Sequence, residues 1–294
     1  MSFRHFLAIV EIRTKVVSVS SFLLGTLYAA TVVPPDPFVT VVMLLAVLAV
    51  DMGTTAFNSF FDFQRQVDSL EFDREEEKVL LHEGVAPGAA LIVAGGLFFL
   101  AVILGLVLTV VLGIEIAVIG AICMAVGFFY TGGPRPLSST PFGELFAGGF
   151  LGSVLFILSA YVQTGQLTGD LILISVPSMF LVASILTVNN ACDIEGDRAA
   201  GRRTLAILLG ARQIPALVYL QGVVAYAVAF LIYPTEALHR GILGLAFALS
   251  LAVYLRMHRR GFRHSAKPAA MADISRVFLT FTAGATLVLL HRIS

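Results

Sequence analysis

The sequence contains little charge. Only 13% of its 294 residues are Asp, Glu, Lys or Arg, whereas 58% are hydrophobic and the mean hydropathy is +0.92. These values exclude a soluble globular protein, because a water-soluble core could not enclose so much apolar surface, and they indicate a polytopic membrane protein. The formal net charge is zero, so the composition gives no reason to expect a nucleic-acid partner.

The sequence also contains only two cysteines. Cys123 lies in an apolar run, and Cys192 lies beside an acidic motif. Two isolated cysteines form neither a disulfide framework nor a zinc site. The side chains of His82, His258 and His264 likewise lack the spacing of metal ligands, and no role is assigned to them.

Long apolar segments are abundant. Because a bilayer core takes about 20 apolar residues to cross, the sequence predicts an all-α membrane protein with nine transmembrane helices and polar cap loops, in a single domain of residues 1–294. A short helix is expected before the first span, since Phe3, Phe6, Leu7 and Val10 have helical spacing. This helix either lies in the membrane interface or simply leads into the span. The predicted spans are about 16–33, 38–57, 88–112, 113–130, 143–163, 171–190, 213–234, 240–257 and 273–290.

Basic residues are distributed unevenly between the connections. If the N-terminus is cytoplasmic, that side collects all of the 19 Lys and Arg residues except Arg240 and Arg292. The positive-inside rule therefore predicts a cytoplasmic N-terminus and an external C-terminus in the cell membrane. Four arginines between positions 256 and 263 fit the same rule, with binding of anionic lipid headgroups as the alternative.

Two polar connections, about 58–87 and 191–212, each begin with the pattern Asn-x-x-x-Asp and continue to a further Asp. Residues four apart share a helix face. Carboxylates on one face repel each other unless a cation neutralises them, and oxygen ligands in this number suit Mg²⁺ that holds a phosphate. We expect the two motifs to converge on a diphosphate. The motif residues are Asn58, Asp62 and Asp68 in the first connection and Asn189, Asn190, Asp193 and Asp197 around the start of the second.

Several strings in this sequence resemble those of a known family. The UbiA superfamily of intramembrane prenyltransferases has a second aspartate-rich motif similar to NNACDIEGDRAAGRRTLAILLG, which begins at Asn189. Its first motif resembles NSFFDFQRQVDS, which begins at Asn58. Within the superfamily, the 1,4-dihydroxy-2-naphthoate prenyltransferases of menaquinone synthesis resemble three further features: RTKVVSVSSFLLGT from Arg13, YTGGPRPLSSTPFGELFAGGFLG from Tyr130, and the spacing of Asp62 and Asp68.

The chain departs from the family pattern at a few positions. Ser59 replaces an Asp that is usual in the first motif, and Gln66 stands where Gly is common. Cys192 occupies a position that Arg usually holds. In the segment from Lys78, the usual Arg-Pro start is replaced by Lys78 and Val79, and a later Arg-Gly is replaced by His82 and Glu83. These departures alter one carboxylate near the expected metal and up to two cations near the expected diphosphate.

The resemblance implies Mg²⁺-dependent transfer of a polyprenyl group from a prenyl diphosphate to an aromatic acceptor. That acceptor is 1,4-dihydroxy-2-naphthoate, which loses its carboxylate to give a demethylmenaquinone. Tyr130 is expected to offer an aromatic face to the allylic cation, or to act only as an interfacial anchor. The expected ligands of two Mg²⁺ ions are Asp62, Asp68, Asp193, Asp197, Asn58 and Asn190. The expected diphosphate-binding residues are Arg13, Arg65, Lys78, Arg135, Arg198 and Arg202, with Asn58 and Asn190.

Three alternatives stay open from the sequence. In the first, the acceptor is one used by another branch of the superfamily: hydroxybenzoate, homogentisate, chlorophyllide, haem or a glyceryl lipid. A transporter or channel is a second possibility, because acidic residues within spans are often ion sites. Asp51 and Glu115 are isolated, however, and both acidic motifs lie at one membrane face. A third possibility is a non-catalytic protein that binds prenyl diphosphate or quinone.

Overall fold

The computed structural model describes residues 1–67 and 78–294. Within these two ranges the chain forms thirteen α-helices and no strand, which confirms the predicted all-α class. The helices are α1 (Phe3–Ile9), α2 (Val16–Ala30), α3 (Pro37–Gln64), α4 (Val79–His82), α5 (Pro87–Leu112), α6 (Ile114–Thr131), α7 (Gly143–Ala147), α8 (Leu155–Thr164), α9 (Gly169–Cys192), α10 (Ile194–Ala199), α11 (Leu205–Ile232), α12 (Ala237–Arg260) and α13 (Lys267–Ile293). A π-helical segment, Gly148–Val154, joins α7 to α8, and 3₁₀ turns cover Ile12–Lys15, Leu137–Ser139 and His264–Ala266.

All nine predicted apolar segments are helical. Among the described residues, eight helical segments are long and apolar enough to cross a membrane. The ninth is α2, which is only 15 residues long and so falls short of the roughly 20 residues that a full span takes. The helix expected before the first span is also present, as α1, although Val10 beyond its end is fully buried.

The predicted boundaries of the two polar connections were wrong. α3 continues to Gln64, so Asn58 and Asp62 lie on its last turns rather than in a loop. In the second connection, α10 forms a short helix and α11 already begins at Leu205. Within α11, Gly210 has a positive φ of 75°, which places a kink where the sequence pattern predicted the start of a span.

Contacts between residues divide the chain into two compact units. The first unit comprises residues 1–19, 41–140 and 195–203, and the second comprises 20–40, 141–194 and 204–294. The first unit therefore contains the end of α3 together with α10, which brings residues of both aspartate motifs into one unit. That the chain is a single domain stays a prediction.

An aromatic cluster packs the core of the first unit. The ring of Phe57 on α3 lies edge-on to Phe98 on α5 and to Phe128 on α6, with centroids 5.0 and 5.3 Å apart. Phe61 also contacts Phe128, at 6.0 Å. Offset and edge-on ring pairs stabilise such a core beyond the area that they bury. The cluster fixes the end of α3, which carries the first motif.

Close helix contacts hold α9 in the second unit. Gly148 and Gly152 of the π-helical segment lie against the backbone of Met179, where any Cβ on either glycine would clash. The hydroxyl of Tyr233 donates to the carbonyl of Ile174, also on α9. These contacts hold the first half of α9, the helix whose end carries the start of the second motif.

Candidate active site

The end of α3 places Asp62 next to an unusual turn. The N–H of Val67 donates to the carbonyl of Asp62 at 2.9 Å, and the N–H of Gln66 donates to that of Phe63 at 3.2 Å. These two bonds form a Schellman motif. In this motif the residue just before Val67 must have a left-handed backbone conformation. Gln66 is that residue, with a φ of 56°. The turn explains why the family prefers Gly at this position.

The end of α10 repeats the same turn around Asp197. The N–H of Arg202 donates to the carbonyl of Asp197 at 2.9 Å, and the N–H of Gly201 donates to that of Arg198 at 3.1 Å. Gly201 has a φ of 73° and takes the place that Gln66 has after α3. Asp62 and Asp197 thus occupy equivalent positions, each four residues before a left-handed residue. The Asn-x-x-x-Asp pattern instead aligns Asp62 with Asp193, so the repeat of the turn lies about one helical turn later in the second motif than the sequence pattern indicates.

Arg202 lies between the two aspartates. Its Nη1 donates to Asp197 Oδ1 at 3.0 Å, and its Nη2 donates to the carbonyl of Ser138 at 3.0 Å. Burial alone would lower the pKa of Arg202, but the negative charges of Asp197 and Asp62 outweigh it, so the pKa is raised. Arg202 is therefore a fixed cation. It contacts Asp197 of the second motif directly and interacts electrostatically with Asp62 of the first.

Three cations interact electrostatically with the buried carboxylate of Asp62. Only 7% of the residue is exposed, and Lys78, Arg202 and Arg65 all act on its charge, while Asn58 is within hydrogen-bonding range. A buried carboxylate is stable only when opposite charges or hydrogen bonds compensate it. The structure thus places Asn58, Asp62 and Lys78 near one another, and their role as a ligand site stays a prediction.

The donor set of this cluster fits Mg²⁺. Asp62 and Asp197 are 7% and 5% exposed, and Asn58 adds an amide oxygen. Carboxylate and amide oxygens are the ligands that Mg²⁺ takes in proteins. Asp68, the remaining predicted ligand of the first motif, lies outside the described residues.

In the second unit, Asn190 is paired with a residue that sequence reasoning missed. Asn190 Nδ2 donates to Glu144 Oε1 at 2.9 Å, and both residues are buried, at 3% exposure each. A carboxylate accepts only from the NH₂ end of an amide, so Glu144 fixes which way the amide of Asn190 points. The sequence signal that could have identified Glu144 was its position as a single carboxylate near the start of an apolar span.

Asp193 forms ion pairs with two residues of the segment that leads into α13. Its Oδ2 lies 2.7 Å from Lys267 Nζ, and its Oδ1 lies 3.4 Å from His264 Nδ1. The sequence assigned no role to His264 and counted Lys267 only as a cytoplasmic charge. The carboxylate expected to bind metal is thus held by a lysine here, and its role as a ligand stays a prediction.

Arg65 makes contacts that its predicted role did not include. Its Nη1 and Nη2 donate to the carbonyls of Thr131 and Gly133, each at 2.6 Å, and its guanidinium lies 4.9 Å from the ring of Phe61. A cation at the C-terminus of α6 satisfies carbonyls that the helix leaves unbonded. Arg65 therefore ties the end of α3 to the end of α6.

The other predicted diphosphate-binding arginines lie on the surface. Arg13 in the first 3₁₀ turn, Arg135 after α6 and Arg198 on α10 are all exposed. Tyr130 is half-buried at the end of α6 and interacts electrostatically with Arg202. The structure thus places Tyr130, but not these three arginines, with the buried part of the cluster.

A second buried ion pair was missed. Lys15 is 4% exposed, and its Nζ donates to Asp51 Oδ1 at 2.8 Å and to Thr55 Oγ1 at 2.7 Å. Asp51 was interpreted as isolated, which was wrong. Asp51 and Thr55 lie on the same stripe of α3 as Asn58 and Asp62, so the pair anchors the helix face that carries the first motif.

Two of the family departures have structural reasons. The hydroxyl of Ser59 donates to the carbonyl of Ile9 at 3.2 Å, where the usual Asp could only repel that oxygen. Glu83 pairs with Arg4 at 3.1 Å and with His5 at 3.0 Å. The first contact holds the end of α1 against α3, and the second holds α1 against the end of α4.

Glu236, His239 and His291 form another group of metal-ligating side chains in the described part of the chain. The N–H of Thr235 donates to His239 Nδ1 at 3.2 Å, so the ring proton lies on Nε2. That Nε2 lies 3.1 Å from His291 Nδ1 and donates to it. Hydrogen bonds thus account for the two histidines of this group.

Comparison with known proteins finds several relatives of this chain. The sequence profile of the UbiA prenyltransferase family matches residues 18–282. A 1,4-dihydroxy-2-naphthoate octaprenyltransferase of Bacillus subtilis (strain 168) is 38% identical over 204 residues, which is 69% of this chain and 65% of that protein. The protein of the same name from Mycobacterium tuberculosis (strain H37Rv) is 32% identical over 168 residues, which cover 57% of this chain and 56% of the relative. The matched regions thus span less than two thirds of either relative.

Solved structures share the fold. A UbiA homolog from Archaeoglobus fulgidus, bound to DMAPP and Mg²⁺, superposes with a TM-score of 0.67. The match covers 97% of this chain and 99% of that one, at 16% sequence identity. At this identity, the likeness is one of fold.

Proposed function

This chain belongs to the UbiA prenyltransferase family, and we propose that it transfers a polyprenyl group from a prenyl diphosphate to 1,4-dihydroxy-2-naphthoate. In this reaction the allylic C–O bond of the diphosphate breaks, a C–C bond to the naphthoate ring forms, and the carboxylate leaves as CO₂. The product is a quinol that oxidises to the demethylmenaquinone. The names of the relatives from B. subtilis and M. tuberculosis support this acceptor.

One observation in particular supports the binding of a diphosphate. Among the described residues, the buried Arg202 Nε has no hydrogen-bond partner, although both Nη atoms of this guanidinium are bonded. A buried donor without a partner costs about 1–3 kcal/mol. An oxygen of a bound phosphate would satisfy this donor beside Asp197, where a metal-bound diphosphate is expected.

We propose that the aspartates and asparagines of both motifs hold two Mg²⁺ ions. When bound, Mg²⁺ would neutralise the charge that develops on the diphosphate leaving group. The proposed ligands are Asp62, Asp68, Asp193, Asp197, Asn58 and Asn190. The archaeal homolog of the same fold, which was solved bound to DMAPP and Mg²⁺, supports a metal-dependent site for the prenyl diphosphate.

The basic residues are proposed to bind the remaining phosphate oxygens. Lys78 and Arg202 are the strongest candidates, since both act on the buried charge of Asp62. Arg13, Arg135 and Arg198 are exposed and would contribute by attraction over a distance. Tyr130, close to Arg202, is proposed to face the allylic carbon, where its ring would stabilise positive charge.

The proposed setting is a cell membrane with the N-terminus and both motifs cytoplasmic and the C-terminus outside. The positive-inside distribution of Lys and Arg supports this orientation. The eight long apolar helical segments of the described residues support a multi-pass arrangement. The prenyl tail is proposed to lie among Leu, Val and Phe side chains between these spans. Water would be scarce around the tail, which protects an allylic cation from capture.

The test is a product assay with the purified chain in detergent. Geranylgeranyl diphosphate, Mg²⁺ and 1,4-dihydroxy-2-naphthoate are incubated with it, and products are identified by mass. We expect a prenylated naphthoquinone that has lost the carboxylate. Release of diphosphate with a different acceptor, but none with the naphthoate, would contradict the acceptor and leave prenyl transfer intact.

A further inference from the structure

A buried carboxylate gathers three arginines where α12 ends and α13 begins. Asp273 Oδ1 accepts from Arg256 Nη2 and from Arg276 Nη1, each at 2.6 Å, and Oδ2 accepts from Arg260 Nη1 at 2.8 Å. The side chain of Asp273 is 1% exposed. We call these four residues the arginine cluster.

The arginine cluster has excess positive charge. Three guanidiniums and one carboxylate give it a net charge of +2, and two of the guanidiniums bond the same oxygen. Cations held this close repel each other, and the repulsion grows where water is displaced by lipid. An additional anion on the outer side of the guanidiniums would reduce this repulsion.

The outer sides of the guanidiniums are accessible. The side chains of Arg256 and Arg276 are 50% and 58% exposed, and that of Arg260 is 30% exposed. A guanidinium has five N–H donors in a plane, and the bond to Asp273 uses one of them on each arginine. Two planar donors held in fixed positions match the oxygens of a phosphate.

Apolar side chains lie next to the arginine cluster on the same two helices. Leu255, which precedes Arg256, is 54% exposed, and Leu279, one turn after Arg276, is 40% exposed. Both α12 and the segment containing α13 are long and apolar enough to cross a membrane. A ligand here would contact cations with one end and exposed leucines with the other.

We propose that the arginine cluster binds the phosphate headgroup of an anionic phospholipid from the surrounding bilayer. Asp273 holds the guanidiniums in position through its hydrogen bonds, and the lipid phosphate neutralises part of their remaining positive charge. The acyl chains lie along the exposed leucines of α12 and α13. This proposal is independent of which acceptor the enzyme prenylates.

For the test, the full chain is delipidated in a mild detergent and titrated with phosphatidylglycerol or with phosphatidylcholine. Native mass spectrometry measures how much of each lipid binds. We expect the wild type to bind phosphatidylglycerol several-fold more tightly. The variant Arg256→Gln/Arg276→Gln should bind it about fivefold more weakly for each guanidinium removed. A matched control, Arg240→Gln/Arg292→Gln, removes the same charge at the other end of these helices and should change binding by less than about twofold.

Three results would overturn the proposal. Equal affinity of the wild type for the two lipids would do so without any variant, so the test does not depend on the variants' folding. Equal loss of binding in the arginine-cluster variant and in the control would show that binding depends on the overall charge of the protein and not on this cluster. Displacement of phosphatidylglycerol by inorganic phosphate at equal concentration would identify a phosphate site instead of a lipid site.

Discussion

Replacing Gln66 by Gly should stabilise the protein. Gln66 has a φ of 56° in the turn that ends α3, a conformation that costs a residue with a Cβ about 1–2 kcal/mol. Gly avoids this cost but loses about 0.5–1 kcal/mol through its greater freedom in the unfolded chain. Because the side chain of Gln66 is exposed, little packing is lost. We expect a net gain of about 0.5–1 kcal/mol.

The chain provides the matched opposite change. Gly201 occupies the equivalent place after α10, with a φ of 73°, and no atom lies within 4 Å of the point where a Cβ would be added. Gly201→Ala therefore introduces the left-handed cost without a clash. We expect it to lower the free energy of unfolding by about 1 kcal/mol.

Thermal unfolding in detergent, followed by far-ultraviolet circular dichroism, measures both changes. A difference of about 1 kcal/mol corresponds to roughly 2 °C in Tm for a chain of this size. Gln66→Gly should raise Tm and Gly201→Ala should lower it. A fall in Tm for Gln66→Gly, or no change for Gly201→Ala, would refute the explanation of the family's glycine by backbone conformation.

Three further changes test the contacts around the motifs by the same thermal measurement. Lys15→Met leaves the buried charge of Asp51 unpaired and should lower the free energy of unfolding by about 3–5 kcal/mol. The double variant Lys15→Met/Asp51→Leu should recover most of this loss, and an equally unstable double variant would contradict the ion-pair explanation. Glu144→Gln replaces a charged acceptor for Asn190 with a neutral one and should cost about 1 kcal/mol, whereas an unchanged Tm would mean that this bond adds nothing. Ser59→Ala should also cost about 1 kcal/mol, and Ser59→Asp should cost more because its carboxylate would face a carbonyl; the reverse order would be inconsistent with the observed bond.

The helices and the motif residues could be predicted from the sequence because both depend on local patterns. Apolar length alone located all nine predicted helical segments, of which α2 proved shorter than a full span. The spacing of Asn58 and Asp62 on one helix face was also sufficient to mark the first motif. The extension of α3 to Gln64 was missed because polar residues were taken to end the helix, although they continue it for two more turns at the boundary.

The partners of the motif residues could not be predicted, because they are distant in the sequence. Lys15 and Asp51 are 36 residues apart, and Glu144 and Asn190 are 46 apart. Each was a single charge or amide in an apolar segment, and only the fold brings the two together. The left-handed turn at Gln66 was hidden for a different reason: a glutamine carries no sequence signal for a positive φ.

The role of the buried aspartates is tested most directly by measuring Mg²⁺-dependent release of diphosphate from geranylgeranyl diphosphate in the presence of the naphthoate. We expect Asp62→Asn and Asp197→Asn each to reduce the rate by roughly 100-fold, the scale on which losing one charge-stabilising group slows an enzyme. Asp170→Asn, an exposed aspartate in the first turn of α9, is the control and should retain the wild-type rate. Wild-type rates in both folded aspartate variants, or the same rate after Mg²⁺ is removed with a chelator, would contradict the account.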